Sequence, residues 1–115
     1  MNNLCGKYPE VTVYCSEWTK LQLLDEKLNF SYYHETPLTF AYPERIWVVA
    51  DEDQLDLGNG LKITAIPTPG HTNGCITWMT DDAMFTGDAC ISGVKVVTKL
   101  PYGNKREAVQ SIEKL

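Results

Sequence analysis

The sequence predicts an α/β layered domain, and three observations carry that reading. Short runs of apolar and β-branched residues at 46–50, 61–66 and 76–79 are separated by Gly, Asn, Asp and Pro clusters, the pattern of short strands joined by tight turns. Two further segments, 17–28 and 105–115, place apolar residues at helical spacing. Each follows a residue whose side chain can accept from the free N–H groups of a first helical turn, Ser16 and Asn104. Amphipathic helices need a surface to cover, and the strands would supply it. With 115 residues and neither a repeat nor a low-complexity segment, the expectation is one domain over 1–115. A chain of this size buries roughly two-thirds of its unfolded surface.

Taken in order, residues 1–9 read as a polar, turn-like lead-in, and Val11, Val13 and Cys15 alternate with Thr12 and Tyr14 as a short strand. From 17 to 28, Trp18, Leu21, Leu24 and Leu28 fall on one helical face, with Glu17 suiting the positive end of the helix dipole. Residues 29–43 carry Phe30, Tyr32, Tyr33, Phe40 and Tyr42 together with Pro37 and Pro43 and read as a loop packed by its own rings. A strand at 46–50, a turn at 51–53, a short strand through Leu55 and Leu57 and a Gly58-Asn59-Gly60 hairpin lead to the strand 61–66. The strand 76–79 is turned at Asp81-Asp82 into 83–86; a last strand is expected at 94–100, and Pro101-Tyr102-Gly103 ends it. The final helix sets Ala108, Val109, Ile112 and Leu115 as its apolar stripe. Trp18, Trp47 and Trp78 each lie within a periodic element and are assigned to the core.

Acidic residues outnumber basic ones, giving a formal net charge of −5, and no Lys/Arg cluster stands out along the chain. A nucleic-acid-binding face or a polybasic membrane patch is therefore not expected. No apolar run is long enough to span a bilayer and the first ten residues lack the apolar core of a signal peptide, so the expected location is cytoplasmic. The four cysteines, Cys5, Cys15, Cys75 and Cys90, contain no Cys-x-x-Cys pair and read as reduced, packed thiols; Cys90 would share a side with Asp88 on an extended continuation. His34 has no motif around it and reads as a surface or packing histidine.

The chemistry concentrates in the stretch IPTPGHTNGCITWMTDDAMFTGDACISG, from Ile66 to Gly93. Pro67, Pro69 and Gly70 stop a strand and present His71 from a tight turn. The hairpin that follows returns the chain so that Asp88, at its far end, comes back to the same sheet edge. Thr68-Pro69-Gly70-His71-Thr72-x-Gly74, followed by Phe85-Thr86-Gly87-Asp88, resembles the second half of the metal site of the metallo-β-lactamase-fold superfamily. The resemblance implies that His71 ligates one metal, that Asp88 bridges two, and that the fold is a partial αββα sandwich. The turn is most similar to that of glyoxalase II-like thioesterases.

The superfamily's His-x-His-x-Asp-His loop and its later histidine have no counterpart here; the chain has only His34 and His71. The expectation is a truncated domain lacking the opening strands and the C-terminal end of the family fold, beginning just downstream of that loop. In a full-length parent, a zinc-bound hydroxide (iron or manganese being alternatives) would cleave a thioester, ester or lactam in a small-molecule substrate. No residue here matches the general base, so no catalytic residue is assigned and the chain alone is expected to be inactive. The alternative is a non-catalytic binding or assembly module on the same scaffold. Loss of the opening strands would expose edge backbone and apolar surface, which favours a homo-oligomer or a complementing chain.

Overall fold

A computed structural model describes residues 1–115, and the backbone forms two compact units, Met1–Val48 and Val49–Leu115. The mixed α/β content matches the fold class expected from the sequence. No helix is long and apolar enough to cross a membrane.

In the first unit, the segment expected as a turn is a helix, α1 (Asn2–Lys7). Its sequence, NNLCGK, is a poor helix former, so the helix is held by distant partners. The Asn2 side chain donates to Thr39 O at 3.0 Å and accepts from Ala41 N at 3.0 Å. At the other end, the Arg45 guanidinium donates to the carbonyls of Cys5 and Tyr8. These partners lie far along the chain, where no local periodicity reports them. Strand β1 (Val13–Cys15) pairs in parallel with β2 (Ile46–Val48), setting Tyr14 opposite Trp47 and Cys15 opposite Val48. Cys15 faces inward, whereas Trp47 is 64 % exposed, so the core assignment of Trp47 is wrong. The pleat is the reason: Trp47 shares the outward face with Tyr14.

Ser16 caps α2 (Glu17–Leu24) as expected, its hydroxyl accepting from Thr19 N at 3.1 Å. The helix stops four residues before the predicted end at 28 because Asp25 accepts from Lys27 N at 2.8 Å and from Leu28 N at 3.2 Å, closing an Asx turn. Leu21 and Leu24 remain exposed on it. In the loop 29–43, Phe40 is buried with its ring edge against Tyr42, while Tyr32 and Tyr33 pair at the surface. His34 is exposed, in keeping with its reading as a surface residue.

The second unit is built on a four-stranded antiparallel meander, β3 (Gln54–Gly58), β4 (Leu61–Pro67), β5 (Ile76–Met79) and β6 (Met84–Phe85), in that order. The predicted Gly58-Asn59-Gly60 hairpin is present, all three residues at positive φ. The strand expected at 94–100 does not form; only an isolated bridge between Ile91 and Val94 is made. An apolar, β-branched run does not become a strand without a neighbour to pair with. Asn104 caps α3 (Lys105–Lys114), accepting from Arg106 N at 3.0 Å and Glu107 N at 3.2 Å.

The buried side of α3 is Ala108 and Ser111, while Val109 and Ile112 of the predicted stripe are about half exposed. The helix is turned this way by its contact with the turn after β4. Ser111 donates its hydroxyl to Pro69 O at 2.7 Å, and Gly70 packs directly on the Ala108 backbone. Only small residues permit that approach. Apart from Val49, the buried side chains of this unit are correspondingly small: Ala65, Thr68, Thr77, Ala89, Ala108 and Ser111.

Candidate metal centre

Pro67 ends β4, and the chain turns through residues 68–75 before β5 begins. Thr68 N donates to Cys75 O at 2.9 Å, which closes the loop at its base. Below it, the hydroxyls of Thr68 and Thr77, both fully buried, share a hydrogen bond of 3.0 Å. Gly70 N donates to Thr72 O at 3.1 Å, and Asn104 N donates to Gly70 O at 2.8 Å, fixing the turn against the start of α3. The loop that presents His71 is thus held on both sides by backbone bonds, as a preorganised ligand requires.

Asp88 is placed by the far end of the β5–β6 hairpin. Gly87, at φ 51, turns the chain into a single 3-10 turn, Gly87–Ala89, in which Ala89 is buried and Asp88 points outward. The structure brings the two predicted ligands together: His71 Nε2 lies 3.6 Å from Asp88 Oδ2, with the imidazole mostly covered and the carboxylate mostly exposed.

The opposite ring nitrogen is engaged too. His71 Nδ1 is 2.8 Å from Val97 O, and since a carbonyl only accepts, Nδ1 carries the hydrogen. In the neutral ring the Nε2 lone pair then faces Asp88, the arrangement by which a backbone carbonyl orients a metal-ligating histidine. Two ligands about 2.0–2.1 Å from one tetrahedral ion would stand about 3.3 Å apart, close to the distance observed. As a pair, His71 and Asp88 fit a shared divalent ion.

The donor set is short, however. No group of three His, Cys, Asp or Glu side chains is assembled anywhere in the chain, whereas a hydrolytic zinc site uses three protein ligands and an open position. Cys90 is half-buried, its carbonyl accepting from the Thr86 hydroxyl, and it joins no such group. Residues 1–115 by themselves therefore do not fit a hydrolytic metal centre.

His71 and Asp88 open onto a cavity of about 220 Å³ whose wall is formed by Ile91, Val94, Val97 and Leu100, with Lys95 as its cation. Sequence reasoning missed the part played by 94–100, because it treated the run as a strand rather than as the wall of this cavity. It also found no basic cluster, yet Lys95, Lys99 and Lys105 line one depression. The signal was present: no Asp or Glu lies between Asp88 and Glu107.

With this geometry in view, the comparisons with known proteins are decisive for the family. The sequence profile of the metallo-β-lactamase superfamily matches residues 1–115. The chain belongs to the metallo-β-lactamase superfamily. A hydroxyacylglutathione hydrolase of Shewanella halifaxensis (strain HAW-EB4) is 39 % identical over 56 residues, which are 49 % of this chain and 21 % of that protein. The B3 metallo-β-lactamase BLEG-1 superposes with a TM-score of 0.83 at 23 % identity, over 97 % of this chain and 54 % of that one. TTHA1623, solved in a di-iron-bound form, superposes with a TM-score of 0.74 at 16 % identity, over 97 % of this chain and 54 % of that one. At these identities the structures show the fold. The expectation of a partial metallo-β-lactamase fold is met: the chain spans about half the length of these solved structures.

Proposed function

We propose that this chain contributes two ligands, His71 and Asp88, to the metal centre of a metallo-β-lactamase-fold hydrolase, the remaining ligands coming from residues outside 1–115. The observation that carries the reading is the 3.6 Å approach of Nε2 to Oδ2 with Nδ1 tied to Val97 O. Zinc is the metal of first choice for such a donor pair, and the di-iron form of TTHA1623 makes iron the alternative. When bound, the metal would supply a Lewis acid and an activated water. The hydroxyacylglutathione hydrolase relative favours a thioester over an ester or lactam substrate. Four free thiols favour a reducing, cytoplasmic setting.

The test is a zinc titration of the chain followed by the ring ¹⁵N resonances of His71, with Asp88→Asn alongside. The reading expects the Nε2 signal to shift on zinc addition, the response to be much weaker in Asp88→Asn, and no thioester turnover by the chain alone. A His71 signal indifferent to millimolar zinc, or a response equal in Asp88→Asn, would overturn it.

One observation favours a second reading: the missing third donor leaves a scaffold that serves binding rather than catalysis. That reading expects His71 to remain silent to zinc even when a second polypeptide of the same fold is added.

A further inference from the structure

A second depression adjoins the His71/Asp88 cavity and shares Lys95, Val96 and Val97 with it; its volume is about 370 Å³, and Lys99 and Lys105 complete its cationic lining. This is within the size range of small-molecule sites. None of these three lysines forms an ion pair with a carboxylate, although the molecule as a whole carries a net charge of −5. Three lysines line one concave space, and their like charges favour an anion held among them. Beside the lysines runs an apolar groove of about 180 Å³, walled by Val96, Val109 and Ile112 and again bordered by Lys95 and Lys105. Val109 and Ile112 are the two α3 residues that the fold leaves half-exposed, each accessible to a ligand.

We infer that Lys95, Lys99 and Lys105 form a binding site for a small oxyanion, phosphate or carboxylate, attached to a short apolar chain that lies along Val96, Val109 and Ile112. Charge selects the head and the groove selects the tail. Lysine suits this task because its ammonium acts as a mobile point charge that meets an oxyanion without demanding one planar geometry. Lys99 and Lys105 are solvent-exposed and take no part in holding His71 or Asp88. The site does not depend on metal, so the anion site and the metal site fail or succeed separately.

The test is isothermal titration of the full 115-residue chain with inorganic phosphate and with hexyl phosphate; hexanoate, run in parallel, separates phosphate from carboxylate recognition. Hexyl phosphate is expected to bind more tightly than inorganic phosphate, and added NaCl to weaken both. Lys99→Gln/Lys105→Gln should weaken hexyl phosphate binding by roughly ten-fold or more, the scale of one lost charged contact. Val109→Ser should remove the advantage of the hexyl chain while leaving inorganic phosphate unchanged. Lys62→Gln, on β4 and away from the cavity, should change nothing. The far-ultraviolet circular dichroism and urea midpoint of Lys99→Gln/Lys105→Gln should match the parent, which shows that the variant is folded. No measurable binding of hexyl phosphate or hexanoate, binding that survives in the double variant, or an equal loss in Lys62→Gln would overturn the proposal.

Discussion

Gly70→Ala is the substitution that asks most of this structure. Gly70 has φ 138, outside the left-handed region that Asn or Asp can occupy, and it is buried. A Cβ there would collide with the Cα, N and Cβ of Ala108. Two of those atoms are backbone inside α3, so they cannot move aside as a side chain would. Backbone strain of this kind costs about 1–3 kcal/mol, and overpacking against a rigid wall about another 1–3 kcal/mol. Displacing α3 would also weaken the 2.8 Å bond from Asn104 N to Gly70 O and the 2.7 Å bond from Ser111 to Pro69 O. The expected loss is about 3–6 kcal/mol, a large share of the roughly 5–15 kcal/mol that holds most domains. Gly60→Ala is the matched control. Gly60 also has positive φ, 78, but no atom lies within 4 Å of its would-be Cβ, so only the strain, about 1–2 kcal/mol, applies. Urea unfolding of the two variants beside the parent isolates the clash. If Gly70→Ala loses no more than Gly60→Ala, the packing of α3 on the His71 turn is not as described.

Three further outcomes are expected. Thr68→Val or Thr77→Val should each cost about 1–3 kcal/mol, because either leaves a fully buried hydroxyl without its 3.0 Å partner. The double variant should lose less than the sum of the two in urea unfolding. Burial pushes the Cys15 thiol above its ordinary 9.0, with Glu17 raising it further and Lys20 opposing. The folded chain then keeps a proton that the unfolded chain gives up above pH 9, so this contribution to stability is present below that pH and is lost as pH rises through the folded value. Cys15→Ala should flatten the decline of the unfolding free energy above pH 9, and an undiminished decline would contradict the assignment. Iodoacetamide at pH 8 should label Cys75 and Cys90 before Cys15, as mass spectrometry would show.

The local signals in the sequence were dependable wherever one residue and its near neighbours decide the outcome. Ser16 and Asn104 cap the helices they were expected to cap, since a cap needs only a side chain and the next two or three N–H groups. Gly58-Asn59-Gly60 turns a hairpin because its residues tolerate positive φ. What misled was anything that depends on a partner. α1 forms from an unpromising sequence because Arg45 and Thr39 hold its ends. The run 94–100 has strand composition but finds no strand to pair with, and instead offers Val97 O to His71. Trp47 faces outward because β2 pairs with β1 on a ribbon whose outer face is open.

The candidate site divides along the same line. By itself the sequence singled out His71 and Asp88 as candidate ligands, since the Thr-Pro-Gly-His-Thr turn and the Phe-Thr-Gly-Asp exit are short and local. The same motifs carry the resemblance to the family to which the profile over residues 1–115 assigns the chain. Only the tertiary structure decided that Nε2 and Oδ2 stand 3.6 Å apart, that Val97 fixes the ring's tautomer, and that no third donor arrives. It alone gathered Lys95, Lys99 and Lys105 around one depression. The reason is physical: a motif specifies donors through bonds along the chain, whereas distances between donors are set by packing among segments far apart in sequence, such as Gly70 on Ala108.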